Sequence, residues 1–236
     1  MKKKLSAPEK EIPAAIRRPF RDLVLDSIFF SQKTLGTPAD DPKQRARYAR
    51  SAVFSVVASL ECASNLCTDN LEGGLKKDLE WLPFLSKFDL FVHLSATGRT
   101  LDRGVVEVER VQELKSARDR LARPKSRHST LRLIDDGVYQ AETTSSTRLG
   151  LSDSSEKWTG SDCVAAVKAA DRFLSLVFFE ICDLPQWDVA RLLLSEVTTL
   201  HPPGGADRGG PVKPEDPLFE FARSEWQLSL RYLGLR

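Results

Sequence analysis

Apolar residues recur along most of this chain at the three- and four-residue spacing of amphipathic helices. Phe20, Leu23, Val24 and Ile28 set the first series and predict a helix to about Lys33, closed by Gly36-Thr37-Pro38 and Asp41-Pro42. The clearest series follows. Ala49, Ala52, Val53, Val56, Val57, Leu60 and Ala63 predict a helix over 42–68. Small residues crowd it (Ala49, Ser51, Ala52, Ser55, Ala58, Ser59). Small side chains let other helices approach closely, so it reads as a central packing helix.

Beyond Gly73-Gly74, residues 76–94 hold Trp81, Leu82, Phe84, Leu85, Phe88, Leu90 and Phe91 around Pro83. This pattern predicts a short helix and then a broken aromatic segment belonging to the core. Asp78, Glu80 and Asp89 beside the rings argue against a base-stacking platform, which needs a basic groove. His93, after the same apolar run, reads as packed or half-buried. Val105, Val108, Val111, Leu114, Ala117 and Leu121 predict a helix over 101–122 that Pro124 ends near Arg123. Thr130 to Ile134, Asp135-Asp136-Gly137 and Val138 to Ala141 read as a small β-hairpin, with a Ser/Thr/Gly-rich loop over 143–160.

Thr159 or Ser161 can cap a second core helix, which carries Cys163, Val167, Ala170, Leu174, Val177 and Ile181 and stops at Asp183-Leu184-Pro185. Helices are expected over 187–200 and 217–233. The fold class is therefore mainly α. It comprises a flexible basic arm over 1–18, a helical domain over 19–200 with a hairpin and loop insertion at about 129–160, a Pro/Gly-rich loop over 201–216 and a C-terminal helix within 217–236.

Composition narrows this only slightly. Hydrophobic residues make up 41% and charged residues 29% of 236, which is ordinary globular usage. No apolar run follows Met1-Lys2-Lys3-Lys4, and the charge-free stretch from Ser51 to Leu60 is far short of the ~20 residues a bilayer span needs. A cytoplasmic protein with no membrane association is the expectation. Cys62, Cys67, Cys163 and Cys182 lack CxxC spacing, and His93, His128 and His201 are scattered. Buried thiols are expected, with no metal site and no cofactor. Gly73-Gly74 lacks the Walker spacing, and no Gly-x-Ser-x-Gly elbow occurs.

Charge changes the picture more. The net charge of +2 makes no case for nucleic acid. Yet residues 115–132 hold Lys115, Arg118, Arg120, Arg123, Lys125, Arg127 and Arg132 against Asp119 alone, a local +6 that leaves −4 for the rest. This is either a solvated helix face continued into a loop or a groove for phosphates.

The order of pieces resembles the HEPN family (higher eukaryotes and prokaryotes nucleotide-binding). It runs from a small-residue helix reaching Ala58-Ser59-Leu60-Glu61, through the Trp81-Leu82-Pro83 segment and a helix ending Arg118-Asp119-Arg120-Leu121-Ala122-Arg123-Pro124-Lys125, to a helix over 161–183. The resemblance covers roughly 42–184 and implies a helical bundle, a homodimer and an Arg-polar-x-x-x-His motif that cleaves RNA without metal. Arg118 matches the motif arginine and Asp119 the polar position, but Arg123 stands where the histidine belongs. A guanidinium stays protonated and cannot act as a general base, though it can bind phosphate. Arg123 to His128 also spells Arg-x4-His, and His128 is the candidate for acid–base work, but Pro124 takes it off the motif helix.

The leading expectation is a HEPN-like RNA- or nucleotide-binding protein, non-catalytic or divergent, in a microbial defence or toxin–antitoxin setting. Arg118, Asp119, Arg123, Lys125 and Arg127 form its phosphate-binding set. One alternative is a metal-independent endoribonuclease. Another is a helical adaptor that recruits a protein partner through residues 187–236.

Overall fold

The computed structural model describes residues 19–69, 78–96, 98–122, 131–135, 138–141, 146, 148–194 and 216–235. Its helices are α1 (Phe20–Gly36), α2 (Pro42–Thr68), α3 (Phe84–Ser95), α4 (Val106–Ala122), α5 (Gly160–Ser175), α6 (Gln186–Leu194) and α7 (Pro217–Trp226). One antiparallel ladder pairs β1 (Leu131–Asp135) with β2 (Val138–Ala141), with Leu131 opposite Ala141 and an irregularity between Leu133 and Asp135. The protein is an all-α bundle carrying this small ladder. The arm over 1–18 and the loop over 201–215 lie outside the described residues.

Helix α2 is the hub. Asp41 caps it by accepting from Gln44 N at 3.0 Å, and Pro42 occupies the first turn. Its buried positions (Ala46, Ala49, Ala52, Val53, Val56, Val57, Ser59, Leu60, Ala63, Ser64, Leu66, Cys67) run round much of its circumference. Accordingly α1, α3, α4, α5 and α6 all lie against it. By length and hydropathy alone α2 would pass for a membrane span, but burial in this core accounts for its apolar composition. Its buried hydroxyls stay within their own helix: Ser59 Oγ donates to Val56 O at 2.7 Å and Ser64 Oγ to Glu61 O at 2.8 Å. Ser27, Ser31 and Thr34 do the same on α1, so polar atoms reach the interface without lost hydrogen bonds.

Helix α5 begins with a capping box. Thr159 accepts from Asp162 N, and Asp162 in turn accepts from Thr159 N at 2.7 Å. Gly160, its first residue, lies against α1. A Cβ there would meet Leu35 Cδ2 at 2.5 Å and Leu35 Cα at 3.0 Å. The helix runs on as a π-turn (Leu176–Ile181), and Arg99 donates to the carbonyls of Glu180 and Ile181.

The helix expected over 217–233 stops at Trp226. Gln227 and Leu230 take left-handed backbone conformations at φ 55° and 43°, and a 3-10 turn (Arg231–Leu233) follows. Buried Asp171 of α5 explains the break. Its carboxylate accepts from Ser229 N and Leu230 N, both at 2.9 Å, and from Ser229 Oγ at 3.3 Å. Charge-assisted bonds of this kind offset the strain of a non-glycine residue at positive φ. Phe219, Ala222, Leu230 and Tyr232 thereby enter the same core as α1 and α5. The helix expected from residue 101 starts at Val106 instead. Asp102 Oδ1 accepts from Gly104 N at 2.8 Å, a side-chain turn that competes with helix.

Replacing Gly160 by Ala is expected to destabilise the fold by about 1–3 kcal/mol through overpacking against Leu35. Gly36→Ala meets open space and serves as the control in chemical denaturation. A second expectation concerns alkali. Burial, and then Asp171, hold the Tyr232 phenol well above its ordinary range. The folded state therefore keeps a proton that the unfolded chain loses near pH ~10. Stability is held below that pH and lost as pH rises above it. Denaturation midpoints of Tyr232→Phe should fall less steeply there than those of the wild type.

Candidate functional site

Helix α4 buries Val108, Val111, Leu114 and Ala117 as one stripe against α2 and α5. Arg118 is the next residue, so its side chain leaves the helix at the edge of that interface, 21% exposed. Two carboxylates meet its guanidinium. Glu61 of α2 receives Nη2, and Asp119 Oδ1 lies 3.2 Å from Nη1. Asp119 also receives Lys115 Nζ at 2.5 Å, one turn back on the same helix. The sequence-predicted pair Arg118 and Asp119 is therefore brought together, but on itself and on Glu61. Arg123, Lys125, Arg127 and His128 lie outside the described residues.

A second cation reaches α2 from α3. Lys87, in the first turns of α3, is 6% exposed, and its Nζ donates to Asn65 Oδ1 at 2.6 Å and to the Glu80 carbonyl at 3.1 Å. Burial lowers its pKa, opposed by the charges of Glu80, Glu61 and Asp69. Glu61 and Asn65 are one helical turn apart on α2, so a single face of that helix holds Arg118 through one residue and Lys87 through the other. Neither Lys87 nor the partner role of Glu61 was read from the sequence. The signal for Lys87 was present: it sits three residues after Phe84 and beside Phe88, in the buried phase of α3.

The remaining candidates fall elsewhere. His93 is exposed on α3, contrary to the expectation of a packed ring, because α3 spends its buried face on Phe84, Leu85, Lys87, Phe88 and Val92. His201 lies outside the described residues. Cys67, Cys163 and Cys182 are buried thiols whose pKa values burial pushes up, to about 12 for Cys163 and about 11 for Cys182. They are poor nucleophiles. Among the described residues no three His, Cys, Asp or Glu side chains group as a metal site. A shallow groove of about 540 Å³ between the end of α1 and the start of α2, lined by Gln32, Lys33, Thr37, Asp41, Gln44 and Tyr48, contains none of the predicted site residues.

Chemically, the α2 face and the α4 residues beside it offer three cations (Arg118, Lys115, Lys87), two carboxylates (Glu61, Asp119) and an amide (Asn65). Arginine's fork donates to carboxylate and phosphate oxygens in the same geometry. No protein-family model matches the chain, and no curated protein or solved structure matches it either.

Proposed function

We propose that this chain binds the phosphates of RNA or of a nucleotide through Arg118 on a HEPN-like helical bundle, without cleaving them. The observation that supports this reading most is the position of Arg118. It sits in the last turns of α4, part-exposed, with its fork already oriented by Glu61 and Asp119 and with Arg123, Lys125 and Arg127 next in sequence.

The two carboxylates compete with a phosphate, so magnitudes decide. Glu61 and Asp119 are 42% and 39% exposed. Ion pairs at that exposure contribute about 0–1 kcal/mol. Hydrogen bonds to charged partners contribute about 1.5–3 kcal/mol each, and a phosphate can receive two from one guanidinium. At that exposure the carboxylates hold Arg118 weakly enough that a phosphate, which the same fork bonds in the same geometry, can replace them. The cleavage reading has less support, because an arginine occupies the position where the resembled motif places its proton-transfer histidine.

Titrating the protein with a labelled single-stranded RNA at several salt concentrations tests this. Binding should weaken steeply with salt while the RNA stays intact. Arg118→Ala should weaken binding about tenfold and reduce the slope of log K against log salt by about 0.7, the share of one phosphate contact. Equal affinity and slope in the two proteins would sink the reading.

A further inference from the structure

We infer that Lys87, Asn65, Glu61 and Arg118 form one two-cation phosphate site across the face of α2, with Glu61 as the internal counter-ion that the ligand displaces. The inference rests on the reading of Arg118 as a phosphate ligand. It extends that site to a second helix and gives the ligand a chemical class: a molecule presenting two neighbouring phosphates, either the diphosphate of a nucleotide or consecutive phosphates of an RNA strand.

The buried ammonium carries the argument. A desolvated charge needs a compensating charge nearby or full hydrogen bonding. Lys87 is provided for only in part among the described residues: Glu80, Glu61 and Asp69 act on it through their charges, but none of them bonds it directly. Its two acceptors, an amide oxygen and a backbone carbonyl, are neutral, and no carboxylate comes within ion-pair distance. An ammonium has three N–H donors, so one remains to be used. The acceptor Asn65 is itself exposed, so the ammonium lies beneath the protein surface rather than in the depth of the core. An anion arriving there completes its hydrogen bonding and offsets its charge.

Glu61 links the two cations. It holds Arg118 directly and acts on Lys87 through its charge. Four residues of helix rise about 6 Å, so the two cation-holding positions on α2 are about one turn apart. Glu61 bonds Arg118 and leaves Lys87 without a direct anionic partner; a ligand with two anionic groups can serve both cations. In the ligand-free protein Glu61 thus keeps Arg118 oriented and lowers the repulsion between like charges, and a ligand with two anionic groups replaces it.

The full chain and three variants should be titrated by fluorescence anisotropy with a labelled single-stranded RNA, and with ADP as competitor. Glu61→Gln removes the counter-ion and should tighten RNA binding several-fold. Lys87→Met keeps the buried stem and removes the donors, and should weaken binding roughly tenfold, as should Arg118→Ala. Displacement of RNA by ADP with the same order among variants assigns the site to a nucleotide diphosphate. RNA binding that ADP does not displace, again with that order, assigns it to consecutive strand phosphates. If Arg118→Ala loses binding while Lys87→Met matches the wild type, the two-cation site is overturned and the Arg118 reading stands. If no variant differs from wild type, or wild type binds neither probe, both are overturned. Should Lys87→Met fail to fold, Asn65→Asp decides, since Asn65 is exposed and the new carboxylate would occupy Lys87 without touching the Arg118 pair: weaker RNA binding is expected, and unchanged binding overturns the inference.

Discussion

Helices can pack around a common neighbour only if that neighbour lets them in, and α2 does so by carrying alanine, serine and valine where leucine would hold its partners apart. Five helices lie against it, and two of them, α3 and α4, bring the cations of the candidate site. The site is thus a consequence of packing. Arg118 and Lys87 come from segments with no sequence proximity, and they share a face because Ala117 on one side and Phe88 on the other are buried in the same core. Any change that shifted α2 would move both cations relative to Glu61 and Asn65.

Two buried charges among the described residues are handled in opposite ways. Asp171 is surrounded by donors: two backbone N–H groups and a serine hydroxyl saturate its carboxylate and pin the chain over 227–233 against α5. Its capacity is used up in holding the fold. Lys87 receives only neutral partners and retains donor capacity. The contrast separates a charge bonded on all sides from one whose hydrogen bonding is incomplete among the described residues.

Much of the architecture was legible in the residues. Asp41-Pro42 and the apolar series from Ala49 marked α2 at both ends, and Thr159 was one of two residues able to cap α5. These features are local, since a cap or a helical stripe is encoded within a few positions. Apart from the local Asp102–Gly104 turn that delays α4, what failed was non-local. Nothing within 217–233 says that the helix must break at Gln227, because the carboxylate that reorganises it comes from Asp171 in another helix. The partner of Arg118 was hidden for the same reason: Glu61 is 57 positions away. Arg118 could be singled out as a candidate by its place in the resembled motif, but the acid that holds it could not. Lys87 was overlooked because its aromatic neighbours announced core, and a lysine on a buried stripe looks like a gap in the pattern until its partners are known.

The C-terminal turn has a consequence for how the chain folds. Tyr232 packs edge-on against Phe20, with ring centroids 5.9 Å apart, and Arg21 lies over the ring of Phe219. The first helix therefore finds its last neighbours only when residues 219–232 have left the ribosome. Until then α1 presents Phe20 with part of its cover missing, and α5 presents Asp171 without the backbone donors that neutralise its burial. Contacts between such distant positions are slow to form, since a long loop must close before it is rewarded. Local helices can form early during synthesis, while closure of the bundle waits for its C-terminal turn.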